Sequence, residues 1–161
     1  MLLVVGAGCY SPPAMSVEGP VKALLIAVSD DALAAVYSIN RLKPEMICFF
    51  VPESAKSLVE TAVQPQIAQM PRRWDWIVTP DAHRFMACYQ ALSRTLPDLL
   101  RTWEVHPGEL VVDLTGTTPA MAASLSLASL TSTSRVVALG HVNTVGTADG
   151  ESVTAGRRID R

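Results

Sequence analysis

The chain is organised around residues 113–121, which read Asp113-Leu114-Thr115-Gly116-Thr117-Thr118-Pro119-Ala120-Met121. An apolar run from Glu109 to Leu114 precedes the turn and predicts a buried strand. A run of small, apolar helix formers from Ala122 to Thr131 follows it and predicts a helix. The polar residues between the two runs are therefore predicted to join a strand to a helix.

This turn has the features that suit an anion. Thr117 or Thr118 is placed to cap the helix, and Pro119 fits its first turn, where a missing N–H costs nothing. A helix start offers free N–H groups and partial positive charge, and Gly116 and hydroxyls crowd the same turn. We expect a loop that contacts phosphate or a nucleotide at the edge of a parallel sheet. The alternative is a capped helix without a ligand.

Composition indicates one domain that does not bind duplex nucleic acid. The chain has 161 residues, of which 49% are hydrophobic and 17% are charged, enough apolar material for a sizeable core. The net charge is −2, so long-range attraction to duplex nucleic acid is not expected. Any bound anion has to be held by local backbone N–H groups and hydroxyls.

Cysteine usage and hydropathy indicate a cytoplasmic protein. Cys9, Cys48 and Cys88 are a sparse, odd set without a CxxC pattern, which predicts a reducing compartment and no disulfide framework. No run approaches the ~20 apolar residues that span a bilayer, so no membrane partner is expected. The three histidines have no Glu or Cys at ligand spacing, so no metal site is expected.

Strand and helix patterns alternate along the chain. Strands are predicted at 21–28, 46–51, 76–78, 109–114 and 135–139. Helices are predicted at 32–42, 55–63, 82–96 and 122–131, and the third of these ends either at Leu96 or beyond Pro97 at Trp103. The pattern of residues 142–159 predicts a β-hairpin. Residues 1–20 are predicted to form an N-terminal arm or an edge strand. The fold class is therefore α/β, a Rossmann-like, doubly wound, mostly parallel sheet with helices on both faces and a C-terminal β-hairpin.

A second polar turn follows the first predicted strand. It reads Ser29-Asp30-Asp31, and Ser29 or Asp30 is the expected N-cap of the helix at 32–42. Ligands of doubly wound sheets bind beyond the carboxyl ends of the strands. The turns at 29–31 and 115–118 are neighbours there if the first and fourth strands are adjacent.

Three stretches together resemble the CRISPR-associated Rossmann-fold (CARF) domain. The first strand–helix unit is Ile26-Ala27-Val28-Ser29-Asp30-Asp31 running into residues 36–44, and the second strand is Phe49-Phe50-Val51-Pro52-Glu53-Ser54. The stretch from Asp113 to Met121 is similar to the signature Asp-x-Thr-Gly-Gly-Thr-Lys-x-Met of that family. The likeness covers residues 21–161, which we interpret as one CARF-like ligand-binding domain.

The resemblance implies a sensor of cyclic oligoadenylate in type III CRISPR antiviral defence. Such domains form twofold homodimers, bind the ring across the dimer interface and switch on an effector such as a nuclease or deaminase. The implied ligand is cyclic tetra-adenylate or cyclic hexa-adenylate, with no cofactor. The effector domain is either fused after residue 161 or absent, as in a free-standing regulator.

The resemblance also implies the site. Asp113 is expected to brace its loop through backbone N–H groups, and Met121 to pack beneath the loop or touch an adenine. No catalytic residue is implied. The expected ligand-binding residues are Ser29, Asp30, Asp31, Pro52, Glu53, Ser54, Thr115, Gly116, Thr117, Thr118 and Met121.

Two departures from the signature bear on activity. Thr117 replaces a glycine, and Pro119 replaces a lysine that is often involved when such domains cleave their own ligand. We therefore favour sensing, with a metal-independent ring nuclease as the alternative. A generic nucleotide-binding Rossmann domain is less favoured, because the glycine fingerprint that opens at Gly6 breaks at Ser11 and two prolines follow.

Overall fold

The computed structural model describes residues 21–132 and 135–137, in which five strands form one sheet. The strand order is β3-β2-β1-β4-β5, and every neighbouring pair is parallel. The α/β, Rossmann-like fold class is thereby confirmed, whereas the hairpin at 142–159 and the arm at 1–20 lie outside the described residues. The strands are β1 (Ala23–Ala27), β2 (Met46–Pro52), β3 (Arg73–Thr79), β4 (Leu110–Asp113) and β5 (Arg135–Val137).

Helical segments connect successive strands. The connection from β2 to β3 is a mixed helical segment over residues 53–66, in which a 3-10 turn, the short α2, a π turn and a second 3-10 turn follow one another. Within the described residues no helix is both long and apolar enough to cross a bilayer. The α-helices are α1 (Ala32–Leu42), α2 (Lys56–Leu58), α3 (Phe85–Trp103) and α4 (Pro119–Ser132).

The helices cover both faces of the sheet. Side chains alternate along β1, so that Leu24 and Ile26 pack with Ile39 of α1, while Leu25 packs in the cluster that includes Leu92 of α3. Both faces of β1 are therefore fully buried, which explains its continuous apolar sequence.

The sheet reverses its direction of growth between β1 and β4. From β1 the chain steps outward to β2 and β3, and it then returns to the other side of β1 to form β4 and β5. The register pairs Ile26 with Asp113, so β1 and β4 end side by side. The loops that follow them diverge around a topological switch point, the usual place for a ligand in this kind of sheet. The first and fourth strands are adjacent, which is the condition under which the turns at 29–31 and 115–118 are neighbours.

Several predicted boundaries are wrong, and pairing explains the largest change. Strand β3 begins at Arg73 rather than at residue 76, because all seven of its residues pair with β2, from Met46 opposite Arg73 to Pro52 opposite Thr79. As a sheet edge, β3 tolerates polar residues that central strands exclude. Helix α3 begins at Phe85, three residues after the predicted start, and α4 begins at Pro119 rather than at residue 122.

Candidate functional site

The loops that follow the first four strands surround a cavity of about 300 Å³ at the carboxyl edge of the sheet. The loop after β1 contributes two residues, β2 contributes its last residue and one residue of the turn that follows, and Thr118 comes from the loop after β4. The loop after β3 supplies four residues, which makes it the largest contributor. The lining consists of Ser29, Asp30, Pro52, Ser54, Pro80, Asp81, Ala82, His83 and Thr118.

The loop after β1 is fixed by its own side chains. The hydroxyl of Ser29 donates to Oδ1 of Asp30 at 2.7 Å. Oδ1 of Asp31 accepts from the N–H of Ala34 at 3.0 Å, which makes Asp31 the N-cap of α1. The prediction that Ser29 or Asp30 caps this helix is wrong, because the helix starts at Ala32 and the cap directly precedes it. Ser29 and Asp30 are thereby left to line the cavity.

Gly116 brings the β1 and β4 loops into contact. Its φ of +68° lies in the left-handed region, and a Cβ added there would sit 2.9 Å from Cβ of Ala34 and 3.5 Å from Cβ of Asp31. A side chain at this position would both strain the backbone and push the loop away from α1. The glycine of the predicted loop is therefore required by a close approach between the two turns.

Asp113 braces the β4 loop from inside, as expected from the sequence. Its side chain is fully buried, and its Oδ1 accepts from both the N–H and the hydroxyl of Thr115, at 2.8 and 2.6 Å. Among the described residues, Oδ2 has no hydrogen-bond partner. The carboxylate thus acts on loop geometry rather than on a ligand in the cavity.

The threonine hydroxyls of this loop already donate within the protein. Thr117 donates to the carbonyl of Leu114 at 3.3 Å, and Thr118 donates to the carbonyl of Ala82 at 2.5 Å. Thr118 also accepts from the N–H of Met121, so it is the residue that caps α4. Within the described part of the chain, the backbone N–H groups of Gly116 and Thr117 have no partner. The capacity of this loop for an anion therefore lies in backbone N–H groups.

The loop after β3 was missed as part of the site. None of the residues that the sequence patterns single out as ligand-binding comes from this loop. In the structure Oδ1 of Asp81 accepts from the N–H of His83 at 2.8 Å, and Thr118 holds the carbonyl of Ala82. The sequence feature that could have indicated this loop is the parallel strand that ends at Thr79, because the loop after such a strand lies at the carboxyl edge of the sheet.

A buried thiol supports the same loop from below. Sγ of Cys88 lies 3.3 Å from the carbonyl oxygen of Asp81 and 3.7 Å from the hydroxyl of Thr79, which also donates to that carbonyl. Burial is the largest cause that raises the pKa of the Cys88 thiol, so the thiol stays protonated and is a hydrogen-bond donor rather than a nucleophile.

The predicted site residues fall into two groups. Ser29, Asp30, Pro52, Ser54 and Thr118 line the cavity. The remaining six do not, and Glu53 differs most from the expectation, because its side chain is 75% exposed and pairs with Lys56 at 3.1 Å. Met121 is fully buried and packs in the core, which agrees with the first of the two roles expected for it. The six are Asp31, Glu53, Thr115, Gly116, Thr117 and Met121.

A larger cavity of about 540 Å³ lies at the opposite, amino edge of the sheet. Two of its basic side chains already have partners within the protein. Lys22 pairs with Glu109 at 2.8 Å, and its hydrogen bond lowers the pKa of the Glu109 carboxyl, while Arg73 donates to the carbonyl of Thr102 at 3.2 Å. Because this edge lies away from the switch point, we assign the candidate site to the smaller cavity. The described residues contain no cluster of three potential metal ligands.

Comparisons with known proteins agree with this topology. No protein-family model and no curated protein matches the chain. Solved structures do match, among them Enterococcus italicus Csm6 bound to cyclic hexa-2'-fluoro-hexa-dAMP, at 14% identity and a TM-score of 0.59 over 82% of this chain and 37% of Csm6. Can2 from Sulfobacillus thermosulfidooxidans, solved with cyclic tetra-adenylate, matches at 14% identity and a TM-score of 0.59 over 84% of this chain and 38% of Can2.

A third match is the protein VC1899 from Vibrio cholerae, at 13% identity and a TM-score of 0.54 over 73% of this chain and 30% of that protein. The chain therefore spans well under half the length of the proteins it matches. Fold and cavity define an α/β domain of the doubly wound type with a cavity at the carboxyl edge of its sheet. The resemblance to CARF domains is confirmed at the level of the fold, through the match to Csm6 and Can2.

Proposed function

We propose that this chain is a sensor domain that binds cyclic tetra-adenylate or cyclic hexa-adenylate across a homodimer and regulates a type III CRISPR antiviral effector in the cytoplasm. The observation that supports this most is the contact between the β1 and β4 loops at the switch point, where Gly116 packs on α1. Csm6 and Can2, which share the fold, were solved with a cyclic hexanucleotide and cyclic tetra-adenylate.

The start of α4 provides for the phosphates of such a ring. The N–H groups of Gly116 and Thr117 have no partner among the described residues, and they precede a helix of 14 residues. The partial positive charge at the N-terminus of a helix favours an anion, typically by about 0.3–1 kcal/mol. Phosphodiester groups are thus held by backbone and helix dipole, consistent with the net charge of −2.

The size of the cavity supports a ligand shared by two chains. Its volume of about 300 Å³ is at the lower end of the roughly 300–1,000 Å³ that small-molecule pockets occupy, so a ring of four or six nucleotides extends beyond it. A ring with twofold symmetry suits an isologous dimer, in which each chain offers the same surface. Exposed apolar side chains on the first turns of α1 and α3, next to the carboxyl edge of the sheet, are available for contact with a second chain. They are Leu33 (62% exposed), Phe85 (38%) and Met86 (54%).

Ligand-induced stabilisation tests the proposal. A ligand at 100 times its Kd adds about 2.7 kcal/mol to the unfolding free energy, which raises the Tm of a chain of this size by roughly 5–10 °C. We expect this shift with cyclic tetra- or hexa-adenylate and no shift with linear tetra-adenylate or NAD. A shift with NAD alone would contradict the sensor and support a generic nucleotide-binding domain. Chromatography of the recovered ring distinguishes sensing from cleavage to linear products.

Substitution of Thr118 tests the contribution of the β4 loop. Thr118→Ala removes both the α4 cap and the hydrogen bond to Ala82, which costs about 1 kcal/mol and roughly fivefold in ring affinity, while the fold persists. Thr118→Ser keeps the hydroxyl and serves as the matched control, with near wild-type affinity measured by titration. Unchanged affinity after both Thr117→Ala and Thr118→Ala in one chain would show that these hydroxyls do not position the loop for the ring.

A further inference from the structure

The cavity at the carboxyl edge has a charge that does not suit a phosphate. Two carboxylates, Asp30 and Asp81, line it, and His83 is the single basic side chain among its lining residues. Carboxylates repel a phosphodiester strongly at short range where water is partly excluded. The phosphate-binding N–H groups belong to Gly116 and Thr117, neither of which lines the cavity. The cavity and the start of α4 therefore suit different parts of one ligand.

We propose that this cavity is a nucleobase subsite and that Asp81 selects adenine by accepting a hydrogen bond from the exocyclic amino group. This inference rests on the proposed function, and it assigns recognition of the adenine base to the β3 loop. Adenine presents an amino donor at C6, and carboxylates accept from such amino groups. Pro52, Pro80 and Ala82 supply apolar lining against the faces of a base, and the volume of about 300 Å³ fits one nucleoside rather than a whole ring.

The geometry of Asp81 fixes which of its oxygen atoms is available. Oδ1 accepts from the N–H of His83 at 2.8 Å. No described residue donates to Oδ2, so this oxygen remains available as an acceptor on a residue that lines the cavity. The carboxylate is held by its own loop before any ligand arrives, which lowers the entropic cost of binding.

The loop that carries Asp81 is itself held in place. The carbonyl of Asp81 accepts from the hydroxyl of Thr79 and from the thiol of Cys88, at 3.1 and 3.3 Å. The next carbonyl, that of Ala82, accepts from Thr118 of the β4 loop. Base recognition by the β3 loop is thus mechanically linked to the loop that we assign to the phosphates.

The substitution Asp81→Asn isolates the proposed hydrogen bond. The amide oxygen can keep the bond to the N–H of His83, and the amide nitrogen then replaces Oδ2. An acceptor becomes a donor at constant shape, and a donor cannot pair with the amino group of adenine. The loop bond is retained, so a role of Asp81 in loop structure alone would leave base preference unchanged. Asp98→Asn is the matched control, because its side chain is 72% exposed on α3 and outside the cavity.

The test compares two rings of the same size, cyclic oligoadenylate and the same ring built from unsubstituted purine, which lacks the 6-amino group. Calorimetry is run with wild type, Asp81→Asn and Asp98→Asn. We expect wild type and Asp98→Asn to bind the adenine ring about tenfold more tightly than the purine ring, and Asp81→Asn to bind the two rings equally.

Three outcomes decide between the possibilities. Loss of discrimination in Asp81→Asn alone supports the base subsite. Equal binding of the two rings by wild type, or the same discrimination in Asp81→Asn, overturns the subsite but leaves the sensor proposal standing. Failure of wild type to bind either ring overturns the sensor proposal and the subsite with it. The comparison on wild type requires no variant, so it holds even if Asp81→Asn does not fold.

Discussion

Gly116→Val is expected to lower the free energy of unfolding by about 2–4 kcal/mol and to abolish ring binding. The φ of +68° at this position costs a residue with a side chain roughly 1–2 kcal/mol. The added Cβ would lie 2.9 Å from Cβ of Ala34, and overpacking of this kind typically costs 1–3 kcal/mol. To avoid this overlap the β4 loop has to move away from α1. That movement displaces the backbone N–H groups that we propose bind the phosphates of the ring.

Urea denaturation followed by circular dichroism measures this loss. Gly108→Ala is the matched control, because a Cβ at Gly108 has no neighbour within 4 Å and its φ is not positive. At such a position alanine is expected to be neutral or to stabilise by up to about 1 kcal/mol. Equal effects at the two glycines would contradict the close approach of the β1 and β4 loops.

Asp113→Ala is expected to destabilise the protein by about 2–3 kcal/mol. It removes the acceptor of two hydrogen bonds, which the backbone N–H and the hydroxyl of Thr115 donate. Removal of the buried Oδ2, which has no partner among the described residues, offsets part of the cost. Ring affinity should fall as well, because the loop between β4 and α4 loses its internal support.

Asp113→Asn separates the bracing role from the charge. The amide oxygen can still accept from Thr115, so the variant should lose less stability than Asp113→Ala in the same denaturation experiment. A stability of Asp113→Ala equal to or above that of wild type would show that the carboxylate does not brace the loop.

Much of the fold was predictable because local signals and global pairing agree. Helix α1 has the predicted bounds, since an acidic turn precedes it and Pro44 follows shortly after its last residue. Strands β1 and β2 have continuous apolar sequences, as strands covered on both faces require. The alternation of these elements predicted the parallel, doubly wound sheet, whereas the strand order that locates the switch point is a result of the structure.

The site was less predictable because its decisive contacts are distant in sequence. The bond from Thr118 to Ala82 joins positions 36 residues apart, and no local pattern encodes it. The role of Asp81 depends on the last paired residue of β3, which the register with β2 determines. Gly116 stood out in the sequence only as part of the turn, because its approach to Ala34 joins positions on two different strand–helix units.

Calorimetric titration of the wild-type chain with cyclic tetra-adenylate and cyclic hexa-adenylate tests the sensor proposal most directly. It reports affinity and stoichiometry together, and so probes the ligand and the dimer in one experiment. We expect saturable binding of at least one ring with one ring per two chains. Absence of binding for both rings at concentrations on the order of tens of micromolar, well above the Kd of a specific complex, would contradict the proposal.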